Sequence, residues 1–347
     1  MQKKILNISG RKIGDKYPPL IIPEIGINHN GSLERAFRIV DAAKNAGAEI
    51  IKHQTHIPDD EMSIEAKRIK PGNSKRYIYD IISSCSLNEE EEFKLLNYTK
   101  RKKMIFLSTP FGRKAIDRLN KFGVDTFKIG SGEVTNIPLI DYACKLKKNL
   151  IISTGMVDLN YVIKLKRILD KKKANYAFLH TTSLYPVPDK LVRLGALDEM
   201  KKTFGNTIIG YSDHTKGNVA CYAALAKGAS IIEKHFVDTY KTKGPDVVCS
   251  CDKKDLRDLI KNSKRIFAQI QGTKNLLKEE RVTRNFAFAS VVTIKKIKKG
   301  EVFSPKNLWV KRPATGDFKA SELNKLFGKK STRNLIANNQ LRKKDVI

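Results

Sequence analysis

The sequence predicts an α/β chain, a (β/α)8 barrel followed by a small, mostly β module. Three observations carry this reading. Eight short runs rich in β-branched residues alternate with helical patterns between Leu20 and Glu233. Polar side chains follow each run at once, as they would at the mouth of such a barrel. After Gly272 the pattern changes to short alternating runs separated by turns.

The expected strands are Leu20–Pro23, Ile50–Lys52, Met104–Leu107, Val124–Ile129, Leu150–Ile152, Tyr176–Leu179, Thr207–Gly210 and Ile231–Glu233. The clearest helix is SLERAFRIVDAAKNAG. Leu33, Phe37, Val40 and Ala43 fall at helical spacing, Ser32 can cap its start, and Gly47 can end it. Further helices are expected from near Asn88, Arg113, Ile137, Asp158, Gly217 and Asp252; YPVPDK obscures the sixth connection. A doubly wound open sheet is the structural alternative, but no G-x-G-x-x-G follows the first strand. The expected organisation is a barrel domain over residues 1–272 with a short N-terminal extension, a charged linker over 273–285, and a small domain over 286–347 with turns at KKGE and FSPKN.

Composition narrows the function classes. The 347 residues are 41% hydrophobic and 30% charged, as in soluble globular chains. No run reaches the roughly 20 apolar residues of a membrane helix, and the first 20 residues are too polar for a secretory leader, so a cytoplasmic protein without a membrane partner is expected. The five cysteines are scattered, and Cys249-x-Cys251 alone is a poor metal signal, which fits free thiols in a reducing compartment. The net charge of +31 raises a polyanion partner. Yet the charge is spread over the whole chain, lysine outnumbers arginine about three to one, and no basic patch interleaves with aromatics. Nucleic acid is therefore not expected. The charge suits an anionic small substrate instead.

The strand ends carry the chemistry. In order they present Glu24; Lys52 and Gln54; Thr109; Lys128 and Ser131; Ser153; Ser183 and Tyr185; Ser212 and His214; and Glu233 with His235. Each has a bland reading by itself, since a lysine can snorkel and a serine can cap a helix. Polar groups at all eight ends are poorly explained that way. Lys52, Lys128, Ser131, Ser153 and Ser212 suit a phosphate and a carboxylate, and glycines at 130, 132 and 155 let the backbone approach an anion. His214 and His235 can share a divalent cation, or serve as an acid/base or anion-binding pair without one. Glu24 and Glu233 offer carboxylates for proton transfer.

The motifs PEIGINHNGS, IIKHQTH, LSTPF, FKIGSGE, ISTGM, TTSLYPVP, GYSDHT, IEKHF and GPD, in this order, resemble those of the sialic acid synthase family. The C-terminal KKGEVFSPKNLWVKRP resembles the antifreeze-like SAF domain that these enzymes carry. The resemblance implies condensation of phosphoenolpyruvate with N-acetylmannosamine. It implies a manganese or magnesium ion on His214 and His235, and phosphoenolpyruvate on Lys52, Thr109, Lys128, Ser131, Ser153, Ser183 and Ser212. Catalytic roles fall to Glu24, Glu233, Lys52 and Lys128, and the sugar side to Gln54, Tyr185, Asp246 and Arg312. Arg312 would reach in from a partner chain, so a homodimer with exchanged SAF domains is implied. Ser183 stands where bacterial relatives have Asn, and Val247 follows GPD where many members have His. The alternative acceptor is a 2,4-diacetamido-6-deoxy hexose, as in legionaminic or pseudaminic acid synthesis. A 3-deoxy-sugar-acid synthase is disfavoured by the C-terminal module, and a non-catalytic sugar- or ice-binding protein by the ionisable ring.

Overall fold

The computed structural model describes residues 4–71, 74–242, 244 and 246–347. By its internal contacts the chain divides into two compact units, Met1–Gln271 and Gly272–Ile347.

The first unit opens with an antiparallel hairpin, β1 (Leu6–Ile8) and β2 (Arg11–Ile13). Eight strands then form a closed parallel barrel: β3 (Leu20–Gly26), β4 (Ile50–His56), β5 (Ile105–Phe111), β6 (Thr126–Ile129), β7 (Asn149–Ser153), β8 (Asn175–Thr181), β9 (Ile208–Asp213) and β10 (Ile231–His235). The first closes on the last, with Glu24 opposite His235. All eight expected strands are present, and most extend further towards the mouth than their β-branched runs, because polar residues there face the barrel interior. The helix at Leu33–Ala46 has the expected ends: Ser32 accepts from the Arg35 amide, and Gly47 adopts φ 98° in the left-handed region. Helices also follow at Glu89–Arg101, Arg113–Lys121, Ile137–Lys145, Leu159–Lys171, Gly195–Phe204, Val219–Ala226 and Lys253–Gln269. Among the described residues no helix is long and apolar enough to cross a membrane.

Two apolar layers hold the barrel. Outward-facing strand residues such as Ile51, Phe127, Ile152, Phe178 and Ile232 pack under the helices with Val40, Leu95, Ile140, Leu165 and Leu256. Inside, Leu20, Ile22, Ile50, Leu107, Ile151, Leu179, Ile208 and Ile231 form a floor, and Leu6, Ile8 and Ile13 of the hairpin join the same cluster. The hairpin thus plugs the lower end. What reads in sequence as a polar extension has alternate residues buried, Leu6 and Ile8 on one strand and Ile13 on the other. Two helices that the sequence does not announce, Pro58–Glu61 and Ile78–Cys85, lie in the connection after β4.

The second unit contains a two-stranded antiparallel sheet, β11 (Ser290–Thr293) and β12 (Leu308–Lys311), extended by isolated bridges such as Val292–Gln340 and Ile297–Leu335. Its core gathers Val291, Ile297, Phe303, Leu308, Leu323, Leu326, Leu335 and Leu341. Part of the charged stretch read as a linker is helical. A single turn at Lys278–Glu280 leads into a helix at Arg281–Ala287, where Val282 and Phe286 stand one turn apart.

Candidate active site

Side-chain alternation along the strands builds the site. On β4 the inward series runs Ile50, Lys52, Gln54, His56, passing from the apolar floor to a polar mouth. The same step occurs from Ile22 to Glu24, from Leu107 to Thr109, from Ile151 to Ser153 and from Ile231 to Glu233. Above the floor lies a cavity of about 310 Å³, within the size range of small-molecule sites. Lys52, Gln54, Thr109, Lys128, Ser131, Ser153, Ser183, Tyr185, Ser212, His214, Glu233 and His235 line it, with Phe111 and Met156 as apolar wall. Glu24 is buried beside Lys52 and Gln54, and Asp246 approaches His235. Arg312 lies in the second unit, exposed just after β12.

The charged groups form one connected set. Lys52 pairs with Glu24, lies 3.8 Å from Glu233 and donates to Thr109 at 3.1 Å. Lys128 donates to Ser153 at 2.7 Å and to the Ile129 carbonyl at 3.0 Å, and lies 3.7 Å from Glu233. Ser212 donates to Glu233 at 3.0 Å. Burial pushes the Glu24 carboxyl above the usual carboxylate range, against the pull of Lys52. Burial acts on Glu233 too, but Lys128 and Lys52 outweigh it and hold that carboxyl low. Burial pulls the Lys128 ammonium down to about 8. For Lys52, burial is overcome by Glu233 and Glu24, and its ammonium titrates above an ordinary lysine. Burial raises Asp246 to about 6.

Opposite the lysine-rich side, the His214 and His235 rings stand 5.4 Å apart between centroids, and Tyr185 packs on His214 at 4.1 Å. Burial lowers His214 to about 4 and His235 to about 3, so both rings are neutral at physiological pH. His214 donates from Nδ1 to the Thr182 carbonyl at 2.8 Å, which leaves the Nε2 lone pair free. Among the described residues the buried Nδ1 of His235 has no hydrogen-bond partner, and it lies 3.7 Å from Asp246. These two nitrogens fit a divalent cation, which they would hold with coordination positions left open to other oxygen ligands. Among the described residues no group of three or more His, Cys, Asp and Glu is arranged to hold a metal by itself.

Backbone geometry supplies what the motifs alone conceal. β3 slips register against β4 between Glu24 and Gly26, and Gly26 has φ +46°. A Cβ there would lie 3.0 Å from the Glu24 carboxylate and 3.3 Å from the Gln54 amide. At Gly155 a Cβ would come within 2.4 Å of Ser183 Oγ and 2.7 Å of Ser131 Oγ. The Gly155 amide donates to Ser131 at 3.1 Å, and Ser183 Oγ is buried without a partner among the described residues. This cradle of hydroxyls, bare backbone and nearby lysines matches an anionic group. Behind the histidines, Asp213 accepts from Lys234, Tyr211, Thr215 and Cys221 and so ties β9 to β10. Asp213 stands between Ser212 and His214 in the GYSDHT motif, but its side chain belongs to the wall.

The sequence profile of the NeuB family matches residues 39–275, and that of the SAF domain matches residues 288–347. The N,N'-diacetyllegionaminic acid synthase of Campylobacter jejuni is 36% identical over 91% of this chain and 96% of its own length. The chain belongs to the NeuB family. It is a phosphoenolpyruvate-dependent nonulosonic-acid synthase with a C-terminal SAF domain. The N-acetylneuraminate-9-phosphate synthase of Homo sapiens is 29% identical over 92% of this chain and 90% of its own length. Among solved structures, a sialic acid synthetase from Leptospira borgpetersenii in complex with citrate has a TM-score of 0.75 at 28% identity, covering 81% of this chain and 95% of that one. NeuB-family membership and the barrel mouth point to the same chemistry.

Proposed function

We propose that the cavity condenses phosphoenolpyruvate with the open-chain aldehyde of an N-acylated amino hexose and water, releasing phosphate by C–O cleavage. One observation carries the assignment. A single cavity joins a lysine- and serine-rich anion cradle to a pair of neutral imidazoles beside carboxylates.

Lys52, Lys128, Thr109, Ser131, Ser153, Ser183 and Ser212 hold the phosphate and carboxylate of phosphoenolpyruvate. That places its C3 towards Tyr185, Gln54 and the histidines, where the aldehyde sits. The C2=C3 electron pair forms the new bond to the aldehyde carbon. The C=O π pair moves onto the aldehyde oxygen, which takes a proton to become a hydroxyl, and positive charge develops at C2. Glu233, in reach of both lysines, faces that charge. Water adds to C2 and loses a proton to a carboxylate. The hemiketal phosphate then breaks its C2–O bond, leaving a ketone and inorganic phosphate. Glu24 is the proton carrier on the sugar side, held between Lys52 and Gln54. His214 and His235 hold a manganese or magnesium ion, which when bound supplies Lewis-acid polarisation of the aldehyde oxygen.

Between the two acceptors, the sequence reading names N-acetylmannosamine, while the relatives favour the alternative, a 2,4-diacetamido-6-deoxy hexose. The legionaminic acid synthase above has higher identity than the N-acetylneuraminate-9-phosphate synthase. The deciding experiment measures phosphate release from phosphoenolpyruvate against both sugars. Release that needs neither sugar overturns the condensation. With oxygen-labelled bridging phosphoenolpyruvate, the label leaves with phosphate; label kept in the sugar acid overturns C–O cleavage. The SAF domain, with Arg312 exposed, is assigned as a cap exchanged between two chains. Arg312→Ala and Glu24→Gln chains, each inactive alone, then recover activity in mixed dimers; verified mixed dimers that stay inactive refute the exchange.

A further inference from the structure

The mouth of the barrel contains a hydrogen-bonded chain that none of the motifs reveals. It runs from Glu61 through His56 and Gln54 to Glu24. His56 Nδ1 lies 3.0 and 2.9 Å from the two oxygens of Glu61, and His56 Nε2 lies 3.0 Å from Gln54 Oε1. Gln54 Nε2 donates to Glu24 Oε1 at 2.9 Å. The far end is fixed, because Lys52 can only donate and it pairs with the other Glu24 oxygen.

Donor logic makes this chain one-directional. Glu24 presents oxygen to Gln54, so the amide must turn its NH2 group that way. Its carbonyl then faces His56, whose Nε2 must carry a proton. His56 Nδ1 meets a carboxylate, so this nitrogen donates as well. The reversed amide would set its carbonyl against Glu24 Oε1, which is a clash whenever Glu24 is ionised. With Glu24 ionised, Gln54 therefore has one orientation. One of its two amide protons goes to Glu24, which leaves the other for an oxygen in the cavity.

The surroundings keep His56 and Glu61 in place. The His56 ring stacks on Phe111 at 4.4 Å with an interplanar angle of 13°. Glu61 ends the short helix Pro58–Glu61, which is pinned twice more. Asp59 accepts from Tyr79 at 2.6 Å, and Asp60 accepts from the Lys114 amide at 2.9 Å. Both His56 and Glu61 side chains are less than a tenth exposed.

We propose that His56 and Glu61 are positioning residues that lock the Gln54 amide for the acceptor sugar. They act on sugar recognition and leave phosphoenolpyruvate binding alone. The inference rests on the reading of the cavity as a condensation site with Gln54 on the sugar side.

Two replacements of similar size separate the links. In His56→Gln the side-chain amide can reach Gln54 as Nε2 does. In His56→Asn it can keep only the contact to Glu61. We expect His56→Asn to raise the sugar KM by about tenfold or more, with the phosphoenolpyruvate KM within about twofold. His56→Gln restores the sugar KM to within about threefold of the parent, and Glu61→Gln falls between the two. A purely structural role predicts that both His56 variants lose activity in step with thermal stability. That result, or an unchanged sugar KM in His56→Asn, overturns the proposal. A second readout needs no substrate. Histidine-selective nitrogen NMR of the full-length protein should show the His56 ring, assigned by the signal lost in His56→Asn, protonated at both nitrogens. Glu61→Gln should convert it to a ring protonated at Nε2 alone. A His56 ring bearing a single proton in the parent protein overturns the chain of donors. If the parent protein consumes no amino sugar, the condensation reading has failed, and the NMR experiment still tests the network by itself.

Discussion

The lower and upper halves of the barrel interior are made by largely the same strands, on five of them two residues apart, and obey opposite rules. The floor is Leu, Ile and Ala, sealed by the hairpin. The mouth buries two lysines, two glutamates and two histidines within a few ångströms. Apolar burial on the floor stabilises the fold at about 25 cal/mol per Å². Burying the ions of the mouth costs several kcal/mol each before pairing offsets it. Stability and catalysis are thus stacked along most of the strands, and substitutions should separate them.

Lys128→Met is the sharpest probe. It should lower kcat/KM for phosphoenolpyruvate by roughly a thousandfold, as loss of a positioned charge does. Its thermal midpoint should fall only slightly, because Lys52 still pairs with Glu233 when the buried Lys128 ammonium has gone. A large fall in stability would break the division between the halves. Leu107→Ala, two residues below Thr109, should do the reverse. Urea unfolding should show a loss of about 2–5 kcal/mol, with both KM values nearly unchanged. Gly155→Ala comes next. The added methyl crowds Ser131 and Ser183, and the phosphoenolpyruvate KM should rise about tenfold, roughly 1.4 kcal/mol. A larger rise in the sugar KM would assign the cradle to the wrong substrate. Ser32→Ala, outside both halves, should cost about 1 kcal/mol of stability through the lost helix cap, with kinetics unaltered.

The same division explains what was legible in the sequence. Strand runs show because floor residues and outward-facing residues are both apolar, so each lower strand reads as a continuous β-branched stretch. The mouth shows as polar residues just beyond each run, and the cavity gathers twelve of the fifteen residues singled out, with Glu24 and Asp246 alongside. The hairpin stayed hidden because its strands are three residues each and half their side chains are polar. The helix at Ile78–Cys85 has too few turns for a periodic signal. Gly26 carries no signal in the sequence, because a register slip is a relation between two strands and neither carries it alone. The link from Glu61 to His56 was missed because it depends on where a short helix folds back over the mouth.

The pairing of β3 with β10 has a consequence for synthesis. β3 is the first barrel strand made, and its neighbour on one side is the last, about two hundred residues later. During translation the growing sheet keeps an unpaired edge rich in isoleucine until His235 has left the ribosome. Nascent chains of intermediate length are therefore the species most exposed to aggregation, and chaperone demand should fall abruptly once β10 can dock.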